Sequence, residues 1–217
     1  RGSEFRPPVD SSWGERACRP AGPGSVKTGC VGAGTGAMSG GIKGGVGSAS
    51  LALDTGITVA ALVVVNSLGS TIDPATGMFW EARLETGKEF EGRFHPRVML
   101  PETPTGAPAQ NTTLAVVATD ATLTKSQAKK IAMMAHDGMA RAIRPAHTMF
   151  DGDIVYCLST GKQPLPGKPG FFTAPVAQTI NELGHAAADC LARAIIRGIL
   201  DAKSAYGLTA YRDLDHV

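Results

Sequence analysis

The stretch NTTLAVVATD, Asn111–Asp120, stands between two kinds of chain. Before it, residues 81–110 lose hydrophobic periodicity and gather charges with Pro96, Pro101, Pro104 and Pro108, a composition that predicts a long, exposed, mobile connection. Within it, Thr113–Asp120 is a short apolar, β-branched run of the kind that forms a buried strand. After it, Thr124 and Gln127 make a Thr-x-x-Gln capping box. Ala128, Ile131, Ala135, Met139 and Ala142 then recur on one face, so a helix is predicted to about Ile143. An Asp-Gly turn leads into DIVYCLST, Asp153–Thr160, read as a further strand. A long helix is predicted over Thr173–Leu200, with Val176, Ile180, Leu183, Ala187, Leu191, Ala194 and Ile195 as its apolar stripe. Strands followed by long one-sided helices predict a layered α/β sandwich.

Upstream, ITVAALVVVN (Ile57–Asn66) is a continuous apolar run with the signature of a strand buried on both faces, and it stops abruptly at the polar Asn66. Asp73-Pro74-Ala75-Thr76-Gly77 has the composition of a turn. From Gly29 to Gly47, nine of nineteen residues are glycine, a density that denies the segment a regular helix and lets its backbone approach something closely. Residues 6–28, with Pro7, Pro8, Pro20 and Pro23 among few apolar residues, read as an irregular lead-in. Arg1-Gly2-Ser3-Glu4-Phe5 matches what two adjacent cloning sites encode and is set aside as an expression scar, which leaves 6–217 as a single domain.

Composition narrows the function classes. With 43% hydrophobic and 18% charged residues, the 217-residue chain has enough apolar material for one substantial core, which argues against disorder. Lys and Arg number 21 against 19 Asp and Glu, and no basic run accompanies the few aromatics, so a nucleic-acid partner is not expected. The longest apolar run, Val59–Val65, is of strand length, far below the roughly eighteen residues of a membrane span. Cys18, Cys30, Cys157 and Cys190 form no CxxC pair and fit buried thiols in a reducing compartment better than a disulfide framework or a zinc site. A soluble, cytoplasmic protein is expected.

Four features bear on chemistry. The glycine string contains no GxxxxGK[ST], and Ala37 occupies the last glycine position of a dinucleotide fingerprint begun by Gly32 and Gly34, so a tight turn packing under an active site fits better than a nucleotide cofactor. Asn111-Thr112-Thr113 is a glycosylation triplet by chance or by use; alternatively the chain is cut before Thr112. Such a cut makes the threonine hydroxyl a nucleophile whose own α-amino group, with a pKa of about 7.7–8.0, serves as its base. Asp151-Gly152-Asp153 reads as a solvated turn or weak metal site, or as two carboxylates at a strand edge that orient a nucleophile or an ammonium group. His136, His147 and His185 form no HxxxH pair and read as structural, with His147, just ahead of the aspartates, the one nearest to possible chemistry. No metal is expected.

Several segments in order carry a resemblance: VGAGTGAMSGGIKGGVGSAS (31–50), VVVNSLGSTIDPATG (63–77), NTTLAVVATDATLT (111–124), AHDGMARAIRPAHTMFDGDIVYCLSTG (135–161), and the closing AADCLARAII (187–196) with YRDL (211–214). Across nearly all of residues 13–213 the chain resembles the self-processing aminopeptidases of the DmpA and β-aminopeptidase family, which also holds the nylon-oligomer hydrolase. The resemblance implies a four-layer αββα sandwich, of the type also found in ornithine acetyltransferases, and autocatalytic cleavage between Asn111 and Thr112. The products would be an α segment ending at residue 111 and a β segment of 112–217.

By position in the motifs, Thr112 matches the family's serine or threonine nucleophile and Asn66 the asparagine that donates to the oxyanion. Lys43 lies where the family places a lysine near the nucleophile, and Asp151 and Asp153 match its paired acidic or hydroxyl positions. Family precursors carry a further segment ahead of this one, including a tyrosine that assists the oxyanion in several members. Neither is present here, so the sandwich is expected without its N-terminal part.

The function implied is hydrolysis of short peptides, related amides or esters through an acyl-enzyme, without a cofactor, in an assembly of identical chains. Acyl transfer of the ornithine acetyltransferase type, or an uncut, non-catalytic fragment, are the other readings.

Overall fold

A computed structural model describes residues 10–90, 92–94, 97–101, 111–167 and 176–215. The expected scar at 1–5 lies outside the described residues. The lead-in is not wholly irregular: Ser12–Cys18 forms a short helix, α1, which buries none of its residues and carries a Glu15–Arg19 ion pair one turn apart.

The glycine string folds as a 3-10 turn at Gly32–Gly36, a two-stranded hairpin of β1 (Met38–Ser39) and β2 (Ile42–Lys43), and the start of β3 (Gly45–Ala52). Local propensity hides β3, because glycine is depleted in strands. Its register against β4 (Thr58–Val65) runs unbroken from Gly45↔Val65 to Ala52↔Thr58, and its glycines face a helix too closely for side chains. A Cβ at Gly47 would collide with the Ala194 carbonyl of that helix.

β5 (Leu114–Ala121) pairs antiparallel with β4 and parallel with β6 (Ile154–Gln163), giving one sheet of order β3-β4-β5-β6. Between β5 and β6 runs α2 (Lys125–Ala142). Its capping box forms as the sequence predicts: Thr124 Oγ1 accepts from the Gln127 backbone N–H, and Gln127 returns a bond to the Thr124 N–H. The long C-terminal helix, α3, is described over Ala177–Leu200; residues 168–175, where its start is predicted, lie outside the described residues.

Both long helices lie on one face of the sheet, α3 over β3 and β4 and α2 beside β6. Val59, Ala61, Val63 and Val65 of β4 and Ala115 and Val117 of β5 point into the core against Leu183, Leu191 and Ile195, all at most 2% exposed. Full burial of each such larger aliphatic side chain is worth about 1.5–3 kcal/mol.

The expectation that Ile57–Asn66 is buried on both faces is corrected. Burial alternates along β4 and β5, and on the face away from the helices Leu62 is 38% and Tyr156 58% exposed. A continuous apolar run signals two apolar faces, but the helices cover one of them. The described residues thus supply one sheet and one helix layer of the four expected.

The exposed connection expected over 81–110 is corrected in part where it is described. Ala82–Leu84 is a 3-10 turn, Phe90 is fully buried and Val98 nearly so. Glu89 forms a bidentate pair with Arg193 of α3 (2.5 and 3.1 Å), and Phe79, Phe90, Phe94 and Tyr211 stack together. Charges and prolines suggested solvent, and Arg83, Glu85, Lys88 and Arg97 do face it, whereas Glu89 is paired internally. Residues 102–110 lie outside the described residues.

Candidate active site

Topology brings three chain segments to one rim. β4 runs antiparallel to β5 and β5 parallel to β6, so the C-terminal end of β4, at Asn66, meets the N-terminal ends of β5 and β6, at Thr112 and Asp151–Asp153. The Thr112 N–H donates to the Asn66 carbonyl (2.8 Å), which extends the β4–β5 ladder past the strand ends. On the other side Asn111 forms a parallel bridge with Asp151: its N–H donates to the Phe150 carbonyl (3.1 Å), and its carbonyl accepts from the Gly152 N–H (3.0 Å).

The same Asn111 carbonyl accepts a hydrogen bond from Thr112 Oγ1 at 2.6 Å. The hydroxyl therefore lies against the peptide group that precedes it, while a backbone amide polarises that group from outside. Gly152 is a glycine for a local reason: a Cβ there would stand 2.9 Å from Thr112 Oγ1, and the next nearest atoms, at 3.7 and 3.9 Å, are in the same threonine side chain. Asn111 itself is 2% exposed, and neither atom of its side-chain amide has a hydrogen-bond partner. Each such orphan costs about 1–3 kcal/mol.

The two aspartates act as staples in different directions. Asp151 Oδ1 accepts from the Leu68 N–H (3.1 Å) and its Oδ2 from the N–H and hydroxyl of Thr148, tying the turn after Asn66 to the entry of β6. Asp153, whose side chain is almost fully buried, accepts from the Thr113 N–H at Oδ1 (2.8 Å). Its Oδ2 accepts from the backbone N–H and ring Nδ1 of His147 (3.2 and 2.8 Å). Neither carboxylate bonds Thr112 directly.

Asn66 Oδ1 accepts from the Met38 N–H (3.1 Å), which orients the amide and leaves Nδ2, a pure donor, as its other end. Lys43 is completely buried, and its ammonium donates to the carbonyls of Gly34, Ala37 and Gly44 (2.8, 2.9 and 3.0 Å). Burial pushes this ammonium below its ordinary pKa, and Cys30 opposes the shift. All three ammonium hydrogens are thus taken by the glycine-rich turn, which the lysine braces from inside.

The structure therefore gathers Asn66, Asn111, Thr112, Asp151 and Asp153 on one rim and holds Lys43 within the adjoining glycine loop. Sequence reasoning read Gly152 as a turn residue and His136 as structural, and did not single out Thr148. A glycine between two aspartates signals a turn before it signals an amide donor, and nothing in spacing alone pairs residues 136 and 147. His136 Nδ1 lies 3.2 Å from His147 Nε2. His185 instead approaches Asp189 on its own helix. Among the described residues there is no cluster of side chains suited to a metal ion, and no helix is long and apolar enough to cross a membrane.

A strand-edge threonine set against its own preceding carbonyl thus shares one rim with an asparagine amide and two carboxylates. The chain belongs to peptidase family S58, whose model matches residues 6–212. It is 45% identical over 222 residues to an uncharacterized aminopeptidase of Mycobacterium tuberculosis, covering 98% of this chain and 63% of that protein. It is 27% identical to a 6-aminohexanoate-oligomer endohydrolase of Kocuria sp., covering 86% of this chain and 55% of that one. The structure of a Burkholderia sp. β-aminopeptidase superimposes with a TM-score of 0.64 at 25% identity, over 96% of this chain and 55% of its own. The chain thus spans a little over half to nearly two thirds of the length of these proteins.

Proposed function

We propose that this chain carries the nucleophile of an amide-bond hydrolase and releases that nucleophile by cutting itself between Asn111 and Thr112. The observation that carries the reading is the geometry at residue 112: Oγ1 lies 2.6 Å from the Asn111 carbonyl oxygen, and the Gly152 N–H donates to that same oxygen at 3.0 Å. Oγ1 attacks the Asn111 carbonyl carbon, and the negative charge that develops on the carbonyl oxygen is met by the Gly152 amide already in place. Collapse breaks the C–N bond and moves the hydroxyl proton to the Thr112 nitrogen, leaving an ester and a free α-amine. Water hydrolyses the ester, which yields an Asn111 carboxylate and restores the hydroxyl. The buried, unpartnered Asn111 amide penalises the uncut state, because a freed chain end can take that side chain to water.

In turnover the Thr112 α-amine takes the proton from Oγ1 and delivers it to the leaving amine, while Asn66 Nδ2 stabilises the substrate oxyanion. Asp151 and Asp153 hold the rim in register, and Lys43 braces the loop beneath Asn66 through Ala37, the neighbour of the Met38 amide that orients it. Water completes the cycle at the acyl-enzyme. The names of the relatives support short peptides and amides as the substrate class, and esters follow by the same acyl-enzyme. Four unpaired cysteines fit a reducing compartment.

Intact-mass spectrometry of the purified chain tests the reading. Incubation yields pieces of 111 and 106 residues, while Thr112→Ala leaves the chain whole. A Thr112→Ala chain that still divides at this bond overturns the mechanism.

A further inference from the structure

Beyond the rim that handles the nucleophile lies a chain of polar groups running from α2 to β5. His136 Nδ1 is 3.2 Å from His147 Nε2, His147 Nδ1 is 2.8 Å from Asp153 Oδ2, and Asp153 Oδ1 accepts from the Thr113 N–H at 2.8 Å. Thr113 is the residue after the nucleophile and is fully buried. The chain links three places that share no sequence motif: the middle of α2, the loop between α2 and β6, and the residue just ahead of β5.

Polarity along this chain is set by what each group can do. An ionised Asp153 only accepts, so His147 carries its proton on Nδ1 and presents Nε2 as an acceptor, which His136 Nδ1–H can fill. The backbone cooperates: His147 has φ +54°, a left-handed conformation that aims its own N–H at the same Oδ2 its ring reaches. A non-glycine residue there is uncommon and is tolerated best by Asn, Asp and His. Without the His147 ring, Asp153 Oδ2 would lose the shorter of its two donors and keep only the backbone N–H at 3.2 Å, and the carboxylate would be held less firmly against Thr113.

We propose that His147, steadied by His136, is a positioning residue that clamps Asp153 and through it fixes the Thr113 amide and the Thr112 nucleophile. This rests on the self-cleavage reading above. Among the described residues, the charged and titratable groups facing the pair are Asp153, just ahead of β6, and Asp137 from α2, besides the two rings themselves. One proton is accommodated by exchanging which ring donates across the 3.2 Å gap. A second places N–H groups on both sides of it and breaks the bond. Burial first, then the neighbouring His147, push the His136 pKa below its ordinary value, so the pair resists that second proton until the medium is acidic.

Self-cleavage isolates this effect, because before the cut the Thr112 nitrogen is an amide and cannot titrate. Because the His136 pKa is lowered, the full chain begins to cleave more slowly only below the ordinary histidine value of about 6.5. His147→Ala slows cleavage about tenfold or more at pH 8, as expected for a nucleophile held less closely. His147→Asn places an amide donor where Nδ1 stood and tolerates the left-handed backbone; it restores the rate to within about threefold and removes the acid limb. A His147→Ala chain that cuts at the wild-type rate, or a His147→Asn chain that keeps the wild-type acid limb, overturns the proposal. A separate arm needs no cleavage: nitrogen NMR of the Thr112→Ala chain shows His147 protonated at Nδ1 with Nε2 bare, and Asp153→Asn abolishes that preference. The opposite tautomer overturns the clamp, whereas failure of the unmutated chain to cut with the tautomer intact overturns the self-cleavage reading alone.

Discussion

Gly152→Ala isolates the geometry of the nucleophile from the stability of the fold. The added Cβ would lie 2.9 Å from Thr112 Oγ1, against the 3.4 Å where ordinary contact begins, so the hydroxyl must retreat by about 0.5 Å or rotate away. Its next nearest neighbours are Thr112 Cγ2 at 3.7 Å and Cβ at 3.9 Å, both comfortable, and Gly152 has no positive φ that would strain an alanine. The substitution therefore acts on one oxygen atom. A misplacement of about 1 Å costs on the order of a hundredfold in a reaction between held groups, so half that distance predicts about a tenfold loss in the rate of self-cleavage. The assay is a time course of intact mass at pH 8, run beside a thermal melt. The melt should stay within about 3 °C of wild type, since 1 kcal/mol is worth about 2–4 °C in a chain this size. Gly152→Ala cutting as fast as wild type would refute the placement of Oγ1 between Gly152 and Asn111.

Three further outcomes follow from the same coordinates. Asn66→Ala should lower kcat on a small amide about a hundredfold with little change in KM, the loss of one oxyanion donor being worth about 3 kcal/mol; an unchanged kcat would remove Nδ2 from the mechanism. Glu89→Ala leaves Arg193, with 7% of its side chain exposed, without its bidentate carboxylate and bonded to the Ser50 carbonyl, and should destabilise by about 3–5 kcal/mol in urea titrations. A change below about 1 kcal/mol would mean that water reaches the guanidinium. The lowered His136 pKa has a definite sign: the folded state favours the neutral ring, so its contribution to stability is present above about pH 6.5 and is lost as pH falls toward the folded value. His136→Asn should therefore flatten the urea midpoint between about pH 5 and 7, and an unaltered slope would count against the buried neutral ring.

Much of the site was legible one residue at a time. Thr112 stands where a proline-rich stretch runs into a strand, Asn66 is the polar stop of an apolar run, and the two aspartates open the next strand; each position is marked by a break in local pattern. What could not be read this way depends on atoms without side-chain signatures. Gly152 matters through its backbone N–H and through the absence of a Cβ. Lys43 matters through three carbonyls of a loop whose glycine content suggests only freedom. His136 and His147 meet because α2 ends and the chain doubles back, a return that no periodicity encodes.

The sequence by itself determined the elements whose physics is local: the capping box at Thr124 and the one-sided helix after it, the two apolar strands around the rim, and the turn chemistry between them. Only the tertiary structure decided matters of contact. β3 is a strand because β4 pairs with it and α3 presses on its glycines, against its own propensity. Phe90 is buried beside Glu89, which finds Arg193 more than a hundred positions away. The outer face of the sheet, with Leu62 and Tyr156 exposed, is apolar in sequence and uncovered by the described residues. Propensity and periodicity act over a few residues, whereas hydrogen-bond partners, close approach and the covering of a face are properties of segments distant in the chain. A sequence pattern can therefore say that a face is apolar, while the fold alone says what lies against it.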